Sequence, residues 1–215
     1  MENEKLFFER IISLLDTFGG RDKAIRTVYC SLALISTRMR DRERGEKIAA
    51  FAKQFSRARL VYRMFSQPSL ILSAIKIPEN WYNSTDKIET FFNTSTTLLY
   101  LICGWSETIG WLSEAKLLGR NSAKFFQLSL HLWVFALLTS IARIIRQIFM
   151  KIIQKRFQFK QIKDEFILFI ALIADFIAAV NSLPKGILWA GKLNSTQSSL
   201  FFLIASIVGL YRLWK

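Results

Sequence analysis

The chain has 215 residues, 52% of them apolar, and a formal net charge of +14. Soluble globular proteins seldom join these properties. Membrane proteins do, because apolar segments enter lipid while Lys and Arg stay at its anionic surface.

Sparse breakers, with only 3 Pro, and long apolar runs argue for helices rather than a β architecture. Residues 4–18 place Phe7, Ile11, Leu14, Leu15 and Phe18 at helical spacing, and Gly19-Gly20 is expected to stop that helix. A second helix is predicted over 21–40, with Ile25, Val28, Leu32, Ile35 and Met39 on one face. The charged stretch 38–47 follows, broken by Gly45. Residues 46–65 are the clearest amphipathic segment. Ile48, Phe51, Phe55, Ala58, Tyr62 and Phe65 fall on one side; Lys53, Gln54, Arg57 and Arg63 lie mainly on the others. Pro68 and Pro78 bracket a short apolar piece, and 81–85 reads as a loop.

After about Phe91 the texture changes. The expectation is an amphipathic, cytosol-facing, membrane-surface region over 1–90 and a membrane-embedded region over 91–215. The latter holds apolar stretches at 91–112 (interrupted by Thr, Ser106 and Glu107), 125–145 (with His131 and Arg143), 166–183 (with Asp175, ending at Pro184) and 200–214. Spanning takes about 20 apolar residues, which only 125–145 meets comfortably. Between the second and third lies the basic segment 146–163, with Arg146, Lys151, Lys155, Arg156, Lys160 and Lys163 among Phe149, Phe157 and Phe159. Positive charge favours the cytosolic side for both this segment and the basic N-terminal half. One crossing between them does not satisfy both. Either 91–112 also crosses, as a hairpin with 125–145, or some stretches lie in the interface.

No catalytic machinery is apparent. There is one His, and Walker-type, GxGxxG and GxSxG motifs do not occur. No enzymatic activity, cofactor or metal is expected. Cys30 and Cys103 are far apart and read as small buried hydrophobes. Asn83, Asn93 and Asn194 each open a glycosylation sequon, which matters only on a secretory route. Residues 1–18 interleave charges with apolar residues and show no leader-like apolar run. The basic residues share segments with Phe, Leu and Ile, so a solvated face or a lipid surface is expected as partner, not nucleic acid.

The ridge of Ile48, Phe51, Phe55, Tyr62 and Phe65, flanked by Lys47, Lys53, Arg57, Arg59 and Arg63, could lie in the headgroup layer. A fully buried Phe or Ile side chain contributes roughly 1.5–3 kcal/mol, and each nearby base about 1 kcal/mol on an anionic surface. The same stripe could instead pack on the helices before it; the pattern alone does not choose. Asp175 inside an apolar run costs about 2.5–3.5 kcal/mol on insertion scales. It should therefore face a protein partner, Arg143 or Arg146, at a structural hydrogen bond or along a conduction path. His131 reads as a satisfied interior histidine. Ala205 and Gly209, four apart, allow close helix approach and support self-association.

Three stretches, GRDKAIRTVYC at 20–30, FSRARLVYRMF at 55–65 and LPKGILWAGKL at 183–193, together with SIVGLYRLW at 206–214, resemble the peroxin-11 family of peroxisomal membrane proteins, and within it the gamma branch. The resemblance runs from near Gly20 to the C-terminus. It implies an all-helical, multi-pass protein of the peroxisomal membrane with both termini toward the cytosol. Such proteins elongate and tubulate peroxisomes, self-associate as homo-oligomers, and recruit a dynamin-related fission GTPase with its tail-anchored adaptors. The family's membrane-remodelling amphipathic helix matches Ile48 to Phe65 here. Its members have also been considered metabolite channels. The segment 146–163 is shorter than the insert of many relatives, and its composition suits the peroxisomal membrane-protein import receptor.

Overall fold

The computed structural model describes residues 2–153 and 159–214. Among them the chain forms nine α-helices and no strand, the all-α expectation. They are α1 (Glu2–Asp16), α2 (Phe18–Arg38), α3 (Arg42–Met64), α4 (Gln67–Ile75), α5 (Ile77–Asn83), α6 (Lys87–Glu114), α7 (Ser122–Ile153), α8 (Phe159–Asn181) and α9 (Ser195–Trp214). Of the basic segment 146–163, Lys155, Arg156 and Phe157 lie outside the described residues.

Local chemistry explains most boundaries. Thr17 caps α2, its Oγ1 accepting from Gly20 N at 2.9 Å. Gly19 and Gly20 are therefore inside α2 and do not stop α1, as the sequence suggested. A hydroxyl acceptor sets the junction, and glycine only makes room there. Asp41 Oδ1 accepts from Glu43 N and Arg44 N at the start of α3. Gly45 does not break the charged stretch: it is buried within α3, where a Cβ would come 3.0 Å from Ser36 O. Pro68 and Pro78 stand in the first turns of α4 and α5, where the missing N–H is harmless. The loop expected at 81–85 is half helix, because α5 runs through Trp81 to Asn83. Asn194 and Gln197 cap α9 reciprocally, each side chain accepting from the other's backbone N–H.

The chain divides into two compact units, Met1–Tyr62 with Leu193–Lys215, and Arg63–Lys192. The compositional change near Phe91 is thus not where packing divides the chain. In the first unit α9 runs antiparallel to α2: Arg26 Nε donates to Ser206 Oγ at 2.5 Å, and Lys23 covers Gly209. In the second, α6 and α7 form an antiparallel hairpin, with Gly110 against Phe126 at one end and Glu89 against Arg143 at the other. α8 returns along α7, where Leu137, Ala179, Val180 and Leu183 form a core under Trp133, Phe176 and Trp189.

Many small residues are buried and many large apolar ones face out. Ala136, Ala178, Ala179, Cys103 and Ser206 are almost fully buried, while Phe135, Ile145, Phe149, Ile102 and Trp105 are exposed. On α7 the outward residues Leu128, Phe135, Leu138, Ile145, Phe149 and Ile152 recur at helical spacing as one stripe; Leu200, Ile204, Ile207 and Tyr211 do the same on α9. Water would not tolerate such an arrangement, but it is how helices pack in lipid, where small residues allow close approach and large ones meet acyl chains. α7 and α9 are long and apolar enough to cross a membrane.

Candidate membrane-inserting site

On α3 the faces divide differently from the simple amphipathic picture. Gly45, Ala52, Arg59 and Arg63 line one side of the helix, and all four are buried or half-buried. The stripe of Ile48, Phe51, Phe55 and Tyr62 lies roughly a quarter turn away. Phe51 is 57% exposed and its ring meets Phe55 edge-on, centroids 5.1 Å apart. Ile48 and Phe55 are half-buried along the seam. Phe65, one residue past the end of α3, is 75% exposed.

Other members of the expected site are already engaged. Tyr62 stacks on Phe18 with centroids 4.7 Å apart and rings nearly parallel, and Arg21 sits over its ring. Arg59 forms a bidentate pair with Asp22 at 2.7 and 3.0 Å, both side chains no more than 16% exposed. Arg63 donates to Glu107 at 3.1 Å. Arg59 and Arg63 therefore serve as structural cations, in contrast to the headgroup contacts expected from sequence. Lys53 and Arg57 are exposed, and Lys47 makes only a solvent-facing pair with Glu43, of little energetic weight. The available apolar ridge of α3 is thus Ile48, Phe51 and Phe55, with Lys47, Lys53 and Arg57 as its open bases.

Ala205 and Gly209 are buried, and the small size of Gly209 makes room for Lys23 in the α2–α9 contact. The arginine partners expected for Asp175 are committed elsewhere. Arg143 Nε donates to Glu89 Oε1 at 2.5 Å, and Arg146 Nη2 reaches both Asp86 oxygens at 2.9 and 2.8 Å. Arg146 Nη1 also approaches Glu89 Oε2, and Gln147 Nε2 donates to Glu89 Oε1 at 2.8 Å. Asp175 is half-buried in α8. His131 Nδ1 lies 2.7 Å from Gln127 O of its own helix.

Sequence reading passed over this cluster, which ties the start of α6 to the latter part of α7. One signal was present: Asp86 and Glu89 have the spacing of a capping box, and Asp86 Oδ1 accepts from Glu89 N at 3.0 Å. That backbone bond, then Arg146, holds the Asp86 carboxyl below the usual range. A depressed carboxyl contributes stability above its unfolded-state pKa, about 4, and the contribution is lost as pH falls through the lower folded value. The thermal midpoint should therefore drop below about pH 4, and Asp86→Asn should flatten part of that drop. An unchanged acid slope in the variant would remove Asp86 from the account.

A second apolar surface was also missed. Phe8, Ile12 and Leu15 of α1 are exposed, while Phe7, on the neighbouring face, contacts Trp214 of α9, centroids 5.7 Å apart.

The family model described as Peroxisomal biogenesis factor 11 (PEX11) matches residues 8–214. The human protein named Peroxisomal membrane protein 11C is 25% identical, covering 94% of this chain and 92% of its own length. The mouse protein of the same name is 27% identical, covering 93% and 91%. No solved structure matches.

Proposed function

The chain belongs to the peroxisomal biogenesis factor 11 family, and from that premise we propose that it resides in the peroxisomal membrane and shapes it during peroxisome proliferation. α7 and α9 moor the protein, and the ridge of α3 enters the cytosolic leaflet. The observation that carries this reading is the exposure of Phe51 beside Lys47, Lys53 and Arg57 on a helix whose buried residues, Gly45 and Ala52, lie on a different face. Inserting side chains into one leaflet expands it and favours positive curvature. Self-association accumulates the wedges, and their cytosolic placement makes them available to a dynamin-related GTPase and its tail-anchored adaptors. The import receptor for peroxisomal membrane proteins would read the basic segment 146–163.

Transport is the weaker reading. Of Asp175, His131 and Arg143, the residues that could line a path, Arg143 is neutralised by Glu89, His131 contacts its own helix, and Asp175 is half-buried.

The test is tubulation of anionic vesicles by the reconstituted full chain. Phe51 and Phe55 are each worth about 1.5–3 kcal/mol when fully buried. Replacing both by Glu should therefore reduce tubulation more than tenfold, with helicity retained. Equal tubulation by Phe51→Glu with Phe55→Glu would refute insertion through this ridge.

A further inference from the structure

Within the second unit, α4, α5 and the first half of α6 enclose a cleft of about 540 Å³, a size typical of small-ligand sites. Its lining mixes apolar surface with polar side chains, including Lys76, Asn80, Asn83, Glu89, Asn93 and Thr97. Some of these polar groups are already used. Glu89 is neutralised by Arg143 and Arg146, the Trp81 indole donates to Thr94, and Thr90 bonds Ser84 and the Asp86 carbonyl. Lys76 and the three asparagine amides are different: among the described residues, none of these four side chains has an intramolecular partner. One free cation beside a set of amides is matched by one phosphate beside a set of hydroxyls. A carboxylate-rich ligand would call for more cations, and an apolar one would leave the amides unmet.

The surroundings identify the source of that phosphate. Glu89 and its arginines mark the charged end of the α6–α7 hairpin, where α7, a candidate span, carries Arg143, Arg146 and Lys151. A cleft at the charged end of a hairpin that includes a candidate span lies within reach of lipid headgroups.

We propose that this cleft holds the headgroup of a phospholipid whose phosphate carries a polyol. The phosphate sits on Lys76, and the hydroxyls on Asn80, Asn83, Asn93 and Thr97. The site makes the protein a selective lipid binder independently of the α3 ridge.

The experiment offers the detergent-purified full chain equal amounts of phosphatidylinositol, phosphatidylserine and phosphatidylcholine, and measures retained lipid by mass spectrometry. Phosphatidylinositol should be enriched at least tenfold over both others. Asn80→Ala with Asn93→Ala should abolish that enrichment, as should Lys76→Gln. Asn80, Asn93 and Lys76 are exposed, so the fold should survive, with helicity as the control. Equal retention of phosphatidylserine, or full enrichment in the asparagine variant, would overturn the proposal. So would complete displacement of the lipid by an equal concentration of glycerophosphoinositol, which would make the ligand a free phosphate ester. Phe51→Glu with Phe55→Glu should retain phosphatidylinositol normally, so failure of the wedge and failure of the cleft are separable.

Discussion

Replacing Glu89 by leucine is expected to destabilise the second unit by about 2–3 kcal/mol, read as a shift in the denaturation midpoint in detergent. Cutting one partner from a fully buried ion pair costs about 3–5 kcal/mol, because the remaining charge is left without compensation. Here the partners are partly exposed, so the figure is discounted. Glu89 accepts from Arg143, Arg146 and Gln147 together. Arg146 would keep Asp86, but Arg143 has no second acceptor among the described residues. Asp86→Asn should cost less, since Arg146 then retains Glu89. A Glu89→Leu chain within about 0.5 kcal/mol of the parent would show that the cluster carries no net stability.

Gly20→Ala is the second large effect. A Cβ at this position would stand 1.9 Å from Leu14 O and 2.9 Å from Leu14 C. The obstacle is main chain, and that carbonyl already accepts from Thr17 N and Thr17 Oγ1. Relief requires α1 to change its angle to α2, at about 1–3 kcal/mol for overpacking, with the upper end expected for a backbone clash. Limited proteolysis or hydrogen exchange should show residues 2–16 loosened while α6–α8 keep their protection. Gly104→Ala should be milder. Its Cβ would meet the Gln67 amide, the end of a side chain that can swing aside. If the two variants behave alike, the backbone clash is not the controlling contact.

The helices were legible wherever a periodic apolar stripe or a proline marked them. Pro68, Pro78 and Pro184 fall at or beyond helix ends as their covalent geometry requires. The glycines were read less well. Gly20 and Gly45 each sit where another backbone segment comes close, and a single sequence cannot distinguish that use from a break. The ridge of α3 was visible because its periodicity is local. The commitments of Arg59 to Asp22 and of Arg63 to Glu107 were not, because those carboxylates lie 37 and 44 residues away. For Gly209 the spacing with Ala205 announced close approach but not its partner, which is Lys23 on α2 of the same chain.

The pairing of α2 with α9 also constrains the order of assembly. Arg26, only 4% exposed, meets Ser206 from 180 residues further along. At about 5–20 residues per second, a ribosome takes roughly 10–40 s to cover that distance. During this interval the nascent N-terminal helices lack the rod that completes their unit. The first unit can therefore close only when translation is nearly finished.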